Sequence, residues 1–578
     1  MNRFTNLIQT IKSYEIYINF IIILVFPLLF ITLGMDFTDG PFSYSMTRSP
    51  ETLMPFWLTS KIGNLWSIVF SYSILSNRVL NYLITEGIIF SFLYSFFQIK
   101  NRLIFTRFAV LAIILTISTS SQTYTYGTST LLCLTGLFIC FLKYIATNKL
   151  SYIFYCGIIS VAALLSRFPN IVLLPAFIIF FGIFSLLKKK NTPVSNNIKL
   201  QYFIKLNATY VSACLLTLSF FFLLFKSPVN YFTSITDNLG AFSKTESSHS
   251  LSTILNNYFR DLILIAKYIT VLVAMLITYN LVTYYTKFNK WILIIVFSIG
   301  YLWFLHSSNS GIFNFGFSLN ITAFILFIVF TLAYYYYKKS KHVHLFILLY
   351  ITLLIFIAAI GSNTGLLKTK SFSSVIIIIL LFWLFKSKQN AGIPKAFLTI
   401  LIFSFTIYGI YTRTNWFYGE TRDIHALRYT INHENLQHIS TTIYRKNLVE
   451  KVTNAIDALG TNRDGIVFFG SAGQMFYYLY EMKPLSKQLF YLESDDNSVL
   501  KQLETSIQHE HKSPIVVIVY GNANLASWPQ YLSESANIEL KTETKRSANL
   551  VNMLQNNNYQ IVSDEKTFLV LTQNELKI

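Results

Sequence analysis

Up to residue 411 the chain is a series of long apolar runs parted by short polar segments; beyond it the runs become short and the segments between them long. A membrane-spanning helix needs about 20 mostly apolar residues. Runs of this kind lie at 14–34, 78–98, 104–120, 126–144, 152–166, 170–187, 205–225, 258–283, 291–306, 318–337, 345–360, 372–386 and 395–411. The stretch 52–75 is apolar but interrupted, and it reads as helices lying at a membrane interface, with Trp57 and Trp66 at headgroup level. The pattern predicts a polytopic α-helical membrane protein of about thirteen transmembrane helices over residues 1–411, with a first outer loop at 35–77.

The remainder, 412–578, has a different rhythm. GIVFFG (465–470) and PIVVIVYG (514–521) are strand-like runs ending in Gly. QLETSIQHE (502–510) and SANLVNMLQNN (547–557) read as helices, and YQIV (559–562) with TFLVLT (567–572) reads as a hairpin. Strands alternating with helices predict a small α/β layer domain. Its SAG turn lacks the spacing of a dinucleotide fingerprint.

Composition sharpens this. Of 578 residues, 53% are hydrophobic and only 12% charged, where a soluble chain has about 25% charged residues. The net charge of +20 raises nucleic acid or a membrane as partner. Residues 1–411 carry 30 Lys and Arg against 8 Asp and Glu, whereas 412–578 carry 16 against 18. The basic surplus therefore sits between the apolar runs, which points to membrane lipids and away from nucleic acid. Basic clusters at 100–102, Lys143 and Lys149, 188–190, 287–290, 338–341 and 386–389 alternate with nearly uncharged loops such as SSQTYTYG (120–127), HSSNSG (306–311) and GSNTG (361–365). The positive-inside rule puts the N-terminus inside and 412–578 outside. The four cysteines fall in apolar runs and read as small hydrophobes.

The membrane part has eight acids: Glu15, Asp36, Asp39, Glu51, Glu86, Asp237, Glu246 and Asp261. Three crowd into the first outer loop, GMDFTDGPFSYSMTRSPE. Asp36 follows a long apolar run directly, where an ionised carboxylate is costly and usually kept for function. Asp36 and Asp39 can equally cap the next helix, and Glu51 after Ser49-Pro50 suits a helix start. Glu86 lies inside a span, either in a polar cavity or as a buried hydrogen-bond partner. The outer basic residues are Arg48, Lys61, Arg78, Arg167, Lys226, Lys244, Lys368 and Lys370. Arg167, in LLSRFPN, predicts a broken helix pair with a guanidinium at its apex, suited to bidentate phosphate contact or to snorkelling. Lys226 and Arg78 have the same two uses. Ser308, Asn309, Ser362 and Asn363, in two similar outer loops, offer uncharged hydrogen bonds to a sugar or simply make tight turns.

Together these features resemble the bacterial membrane glycosyltransferases of the GT-C superfamily, in particular the protein-mannosyltransferase-like and aminoarabinose-transferase-like enzymes. The carrying residues are the acid-bearing first loop, the interface helices, LLSRFPNIVLLP (164–175), DGIVFFGSAGQMFYYLYEMKPL (464–485) and LVNMLQNNNYQIVSDEKTFLVLT (550–572). The first-loop acids stand three apart, where many members carry adjacent acids. The resemblance implies a bacterial inner-membrane enzyme with an extracytoplasmic C-terminal domain. It implies a sugar donor linked to polyprenyl phosphate and a lipid, glycan or protein acceptor. It also implies Asp36 as general base, Asp39, Glu51 or Glu86 beside it, and Arg167, Arg78 or Lys226 at the donor phosphate. It names no metal ligand and leaves a divalent cation open as cofactor. A transporter or flippase of lipid-linked glycans, or a non-catalytic envelope assembly protein, fits the same span pattern.

Overall fold

The computed structural model describes residues 2–482 except 38, 49–53, 98–101, 120–121, 189–195, 243–250, 287, 310–314, 361, 363, 370–371, 373–374, 378–379, 382–393, 418–419, 459–465 and 471, and beyond them 515–519, 553–565 and 568–573. The expected helices at 502–510 and most of 547–557 lie outside the described residues; 553–556 are helical.

Twelve of the thirteen expected runs coincide with helices. They are α1 (Asn2–Leu28), α4 (Ile74–Phe97), α5 (Arg102–Thr119), α6 (Tyr126–Thr147), α7 (Ser151–Ser166), α8 (Leu173–Lys188), α9 (Asn196–Leu224), α11 (Leu251–Tyr285), α12 (Lys290–Ser307), α13 (Phe315–Lys338), α14 (His342–Ala359) and α15 (Lys395–Asn415). The run at 372–386 lies largely outside the described residues. The shorter helices α2 (Asp39–Arg48), α3 (Trp57–Phe70) and α10 (Pro228–Phe242) fall between them. Among the described residues, seven helices are long and apolar enough to cross a membrane, and four more are shorter apolar helices. The chain is a multi-pass helical membrane protein with a small C-terminal sheet.

The chain forms two compact units. The first is Met1–Ile31, Val79–Asn230 and Leu251–Trp416; the second is Thr32–Arg78, Tyr231–Ser250 and Phe417–Ile578. The expected division at 411/412 therefore finds only part of the second unit. The first loop belongs with the C-terminal residues, because Met35, Phe37, Tyr44 and Ile74 share one apolar core with the strands.

In the first unit, aromatic packing fills the interior. Phe141, Phe180 and Phe177 surround the buried Tyr350 ring at centroid distances of 4.4, 5.0 and 5.5 Å. Such ring pairs contribute about 0.5–1.5 kcal/mol each beyond their burial. Leu223, Trp303 and Tyr284 stand among the exposed apolar side chains, as lipid-facing residues do. One ion pair, Arg107 Nε to Glu15 at 2.5 Å, ties α5 to α1.

The second unit is built on a four-stranded sheet in the order β3-β4-β6-β5, with β3 at Ile466–Phe469, β4 at Ile515–Val519, β5 at Tyr559–Glu565 and β6 at Phe568–Gln573. The β3 and β4 strands are parallel, and β6 is antiparallel to both β4 and β5. Every residue of β3 and β4 is buried, which explains their uninterrupted apolar sequences. A two-residue ladder, β1 (Tyr429–Thr430) with β2 (Ser440–Thr441), and the helices α16 (Ile443–Ala458) and α17 (Gly473–Leu479) complete this unit. The α3 helix leaves Leu65, Ile68, Val69 and Phe70 exposed. Trp66 donates to Ser76, whereas Trp57 is buried inside the unit and is not a headgroup anchor.

Candidate functional site

The first-loop acids lie in the second unit. After α1 ends, the chain turns at Thr32 and Leu33 forms an isolated bridge with Ser440. Ser440 N–H donates to Thr32 O and Gly34 N–H to Ser440 O, both at 2.8 Å. Gly34 has φ +77°, and a Cβ there would meet the Phe417 side chain at 3.2 Å, so the segment needs glycine. Arg78, buried, donates to Leu33 O (3.2 Å) and Gly34 O (2.5 Å). It supports the loop backbone, which is a different use from the expected phosphate contact. Asp36 Oδ2 accepts Gly40 N–H at 2.7 Å, so this carboxylate caps α2. Asp39 begins α2; its side chain and Glu51 lie outside the described residues.

Two residues of the C-terminal part close around this segment. Glu420 Oε2 accepts Met35 N–H at 2.5 Å, and its Oε1 accepts Thr442 N–H at 2.7 Å together with the Thr441 hydroxyl. Arg445, buried on α16, donates to Met35 O and lies over the Phe37 ring at 4.4 Å. Burial pushes its guanidinium below the usual arginine range, and the Glu420 and Asp36 charges oppose that shift. Nearby in the same unit, Arg48 sits between the Tyr72 and Tyr478 rings at 5.2 and 5.1 Å and pairs with Glu481 at 2.5 Å.

A second cluster lies in the first unit. Arg167 caps the end of α7 in an extended conformation, and a 3₁₀ turn at Phe168–Val172 carries Pro169. Pro169 has no N–H to donate to the carbonyl four residues back, and its ring would clash there, so α7 ends before it, at the expected place. Arg167 is 4% exposed. Its Nη1 donates to Ala358 O at 3.1 Å, and the guanidinium lies 5.8 Å from the Tyr126 ring centre. Among the described residues no carboxylate pairs with it.

Asp261, on α11, is fully buried. It accepts Leu366 N–H at 3.0 Å and pairs with Arg260 at 3.2 Å. Gly365, at φ +60°, leaves room for it: a Cβ would stand 2.4 Å from Asp261 Oδ2. The loops HSSNSG and GSNTG meet neighbouring partners. Ser308 Oγ accepts from Asn320 at 3.1 Å, Asn309 donates to Tyr408 at 3.1 Å, and Ser362 Oγ bonds Thr364 Oγ1 at 2.7 Å. Asn363 lies outside the described residues. Lys226 is half-buried in the turn after α9. Glu86 is buried on α4, and its Oε2 has no hydrogen-bond partner among the described residues.

Of the expected site residues, Asp36, Asp39 and Arg78 belong to the second unit, and Glu86, Arg167, Lys226, Ser308, Asn309 and Ser362 to the first. Among the described residues, no group of three or more His, Cys, Asp or Glu side chains is placed to hold a metal ion. A divalent cation finds no ready cage there. The residue pattern assigned no role to Glu420, to Arg445 or to a contact of Asp261 with Leu366. Only Asp261 carried a signal, as an acid near the outer end of a span.

No family model matches the chain, and no curated protein matches it. Among solved structures it is similar to the Archaeoglobus fulgidus oligosaccharyltransferase in complex with Zn and sulfate, at 12% identity and a TM-score of 0.41, covering 93% of this chain and 69% of that one. It is also similar to ArnT from Cupriavidus metallidurans bound to undecaprenyl phosphate, at 8% identity and a TM-score of 0.38, covering 98% of each chain. A third similar structure is archaeal oligosaccharyltransferase AglB from Archaeoglobus fulgidus in complex with an inhibitory peptide and a dolichol-phosphate, at 11% identity and a TM-score of 0.42, covering 94% of this chain and 71% of that one. At TM-scores of 0.38 to 0.42, the likeness carries no weight for this chain's reaction.

Proposed function

We propose that the chain is a GT-C-like glycosyltransferase that moves a sugar from a polyprenyl-phosphate donor to an acceptor hydroxyl at the outer face of a bacterial inner membrane. Arg167 carries this reading. A guanidinium 4% exposed, without a carboxylate among the described residues, sits at a helix break flanked by apolar spans. Burying a charge without a counter-charge is expensive, and an anion arriving beside it offsets that cost. A phosphate joined to an apolar chain is an anion that can reach this place from lipid. Ser308, Asn309 and Ser362, in the same unit, supply uncharged hydrogen-bonding groups of the kind a sugar uses.

In the proposed reaction Asp36 takes the acceptor hydroxyl proton as that oxygen attacks the anomeric carbon. The bond from the anomeric carbon to the phosphate oxygen breaks on the opposite face, with inversion. The leaving polyprenyl phosphate carries its own negative charge, which Arg167 stabilises, so no second acid is needed. Asp39, Glu51 or Glu86 orients the substrates, with Lys226 as a second cation for the donor and Arg78 supporting the first loop. The lipid, glycan or protein acceptor is selected by the extracytoplasmic C-terminal part.

The test uses the full chain in lipid nanodiscs with radiolabelled undecaprenyl-phosphate-linked hexoses and pentoses, together with envelope fractions as acceptor. Asp36→Asn should abolish transfer, and Arg167→Ala should raise the KM for the donor. Full transfer by Asp36→Asn removes the base, and an unchanged donor KM in Arg167→Ala removes the phosphate site.

A further inference from the structure

The second unit brings a carboxylate and a guanidinium from the far end of the sequence onto one residue of the first loop. We infer that Glu420 and Arg445 are positioning residues that fix the backbone on which Asp36 stands. The inference rests on the reading of Asp36 as general base and extends it to the C-terminal part of the chain.

The two residues hold the two polar groups of Met35. Glu420 accepts the N–H of Met35 at 2.5 Å, and Arg445 donates to the C=O of Met35. Met35 is the residue directly before Asp36, so both of its backbone polar groups are bound by charged side chains. Hydrogen bonds with one ionised partner are shorter and stronger than neutral ones. Each holder is itself held. Glu420 is fixed by Thr442 N–H at 2.7 Å and by the Thr441 hydroxyl. Arg445 is 5% exposed, sits over Phe37 at 4.4 Å, and lies in the first turn of α16, whose preceding residue Thr442 also binds Glu420. The anchor behind them is rigid, since α16 contributes Leu448, Val449 and Val452 to the core of the buried sheet.

A general base works only within hydrogen-bond reach of its proton. A shift of about 1 Å in its position can lower the rate by about 100-fold. Asp36 can swing only as far as its Cα allows, and that Cα follows a residue clamped at both its N–H and its C=O. The cap that Asp36 Oδ2 gives to Gly40 sets the start of α2 from the same point. Glu420 and Arg445 therefore reach the chemistry through the backbone of Met35.

Amide hydrogen exchange of the full chain in nanodiscs reads the clamp without any substrate. Glu420→Gln should speed exchange in the peptide covering 33–40 while the strand 515–519 stays protected. In the transfer assay with undecaprenyl-phosphate-linked sugars, the same variant should lower kcat by about 10-fold or more and leave the donor KM within about twofold. Arg445→Lys keeps one donor and the charge and should recover part of the kcat that Arg445→Met loses. Unchanged exchange at 33–40 in Glu420→Gln overturns the inference, whatever Asp36→Asn does. Faster exchange with kcat intact also overturns it, because the clamp then serves folding alone. If Glu420→Gln exposes 515–519 as well, the comparison of Arg445→Lys with Arg445→Met decides. Equal kcat in those two variants overturns the inference, and partial recovery upholds it. Should Asp36→Asn keep full transfer, the base reading fails by itself, and the exchange result still reports on the clamp.

Discussion

Replacing Asp261 should loosen the short turn after α14, and the size of the effect should depend on which atom is lost. Asp261 is fully buried, and so is Leu366, whose N–H it accepts at 3.0 Å. In Asp261→Ala that buried donor loses this acceptor, which costs up to about 1–3 kcal/mol. The ion pair with Arg260 adds little, because the Arg260 side chain is 58% exposed and such pairs contribute about 0–1 kcal/mol. A loss of about 2 kcal/mol changes a local opening equilibrium by up to about 30-fold. In Asp261→Asn the amide oxygen still accepts the Leu366 N–H, so only the weak ion pair goes and the change should stay under about 1 kcal/mol. The assay is amide exchange of the peptide covering 364–369, with the interior of α13 as internal reference. Local opening of this kind is read by exchange well before the whole chain unfolds. If the turn stays protected in both variants, the hydrogen bond to Leu366 does not hold it. If Asp261→Asn loosens the turn as much as Asp261→Ala does, the charge of Asp261 matters more than its hydrogen bond, and the reasoning fails.

Gly365→Ala should destabilise the same turn by a different route. Its φ of +60° disfavours any side chain, and the new Cβ would stand 2.4 Å from Asp261 Oδ2, so the variant should exchange as fast as Asp261→Ala or faster. A protected turn in Gly365→Ala would show that the segment can shift without cost. In the second unit, burial holds His433 below its ordinary value. The Arg48 charge pushes the same way, and Glu434 and Glu481 push against it. The neutral ring accepts Asn435 N–H at Nδ1. The unfolded chain takes up this proton near pH 6.5 while the folded chain does not. The contribution to stability is therefore whole above about pH 6.5 and is lost as the pH falls towards the folded value. Thermal unfolding from pH 7.5 to 5 should show a shallower decline in His433→Gln than in the parent, and equal slopes would exclude His433 as a source.

Much of the architecture was written in periods that a sequence shows directly. Apolar runs of spanning length, ended by basic or small polar segments, marked twelve helices near their observed positions, because the bilayer demands that length whatever the tertiary contacts are. The break at Arg167 was legible because Pro169 lacks the N–H that would continue α7 and its ring clashes with the carbonyl four residues back. The strands 466–469 and 515–519 were legible because burial on both faces leaves no polar alternation. The first loop was legible only as a cluster of acids. Its membership in the C-terminal core depends on Met35, Phe37 and Tyr44, and nothing in a run of mixed residues marks which distant apolar set will receive them.

The same limit explains which site residues were hidden. Asp36 and Arg167 are visible because each is a charge where the local pattern makes charge costly. Glu420 and Arg445 stand in a segment of ordinary polarity, where a carboxylate and a guanidinium attract no notice, and they acquire their role only by meeting Met35 across 385 and 410 positions of sequence. On the proposed reading, a base in the first loop is not held by that short loop alone, since the loop has few side chains and must leave one face open to substrate. The rigidity then comes from elsewhere in the chain, and α16 packs into the same apolar core as β4. That is a physical reason for Glu420 and Arg445 to bind the backbone of the residue before Asp36.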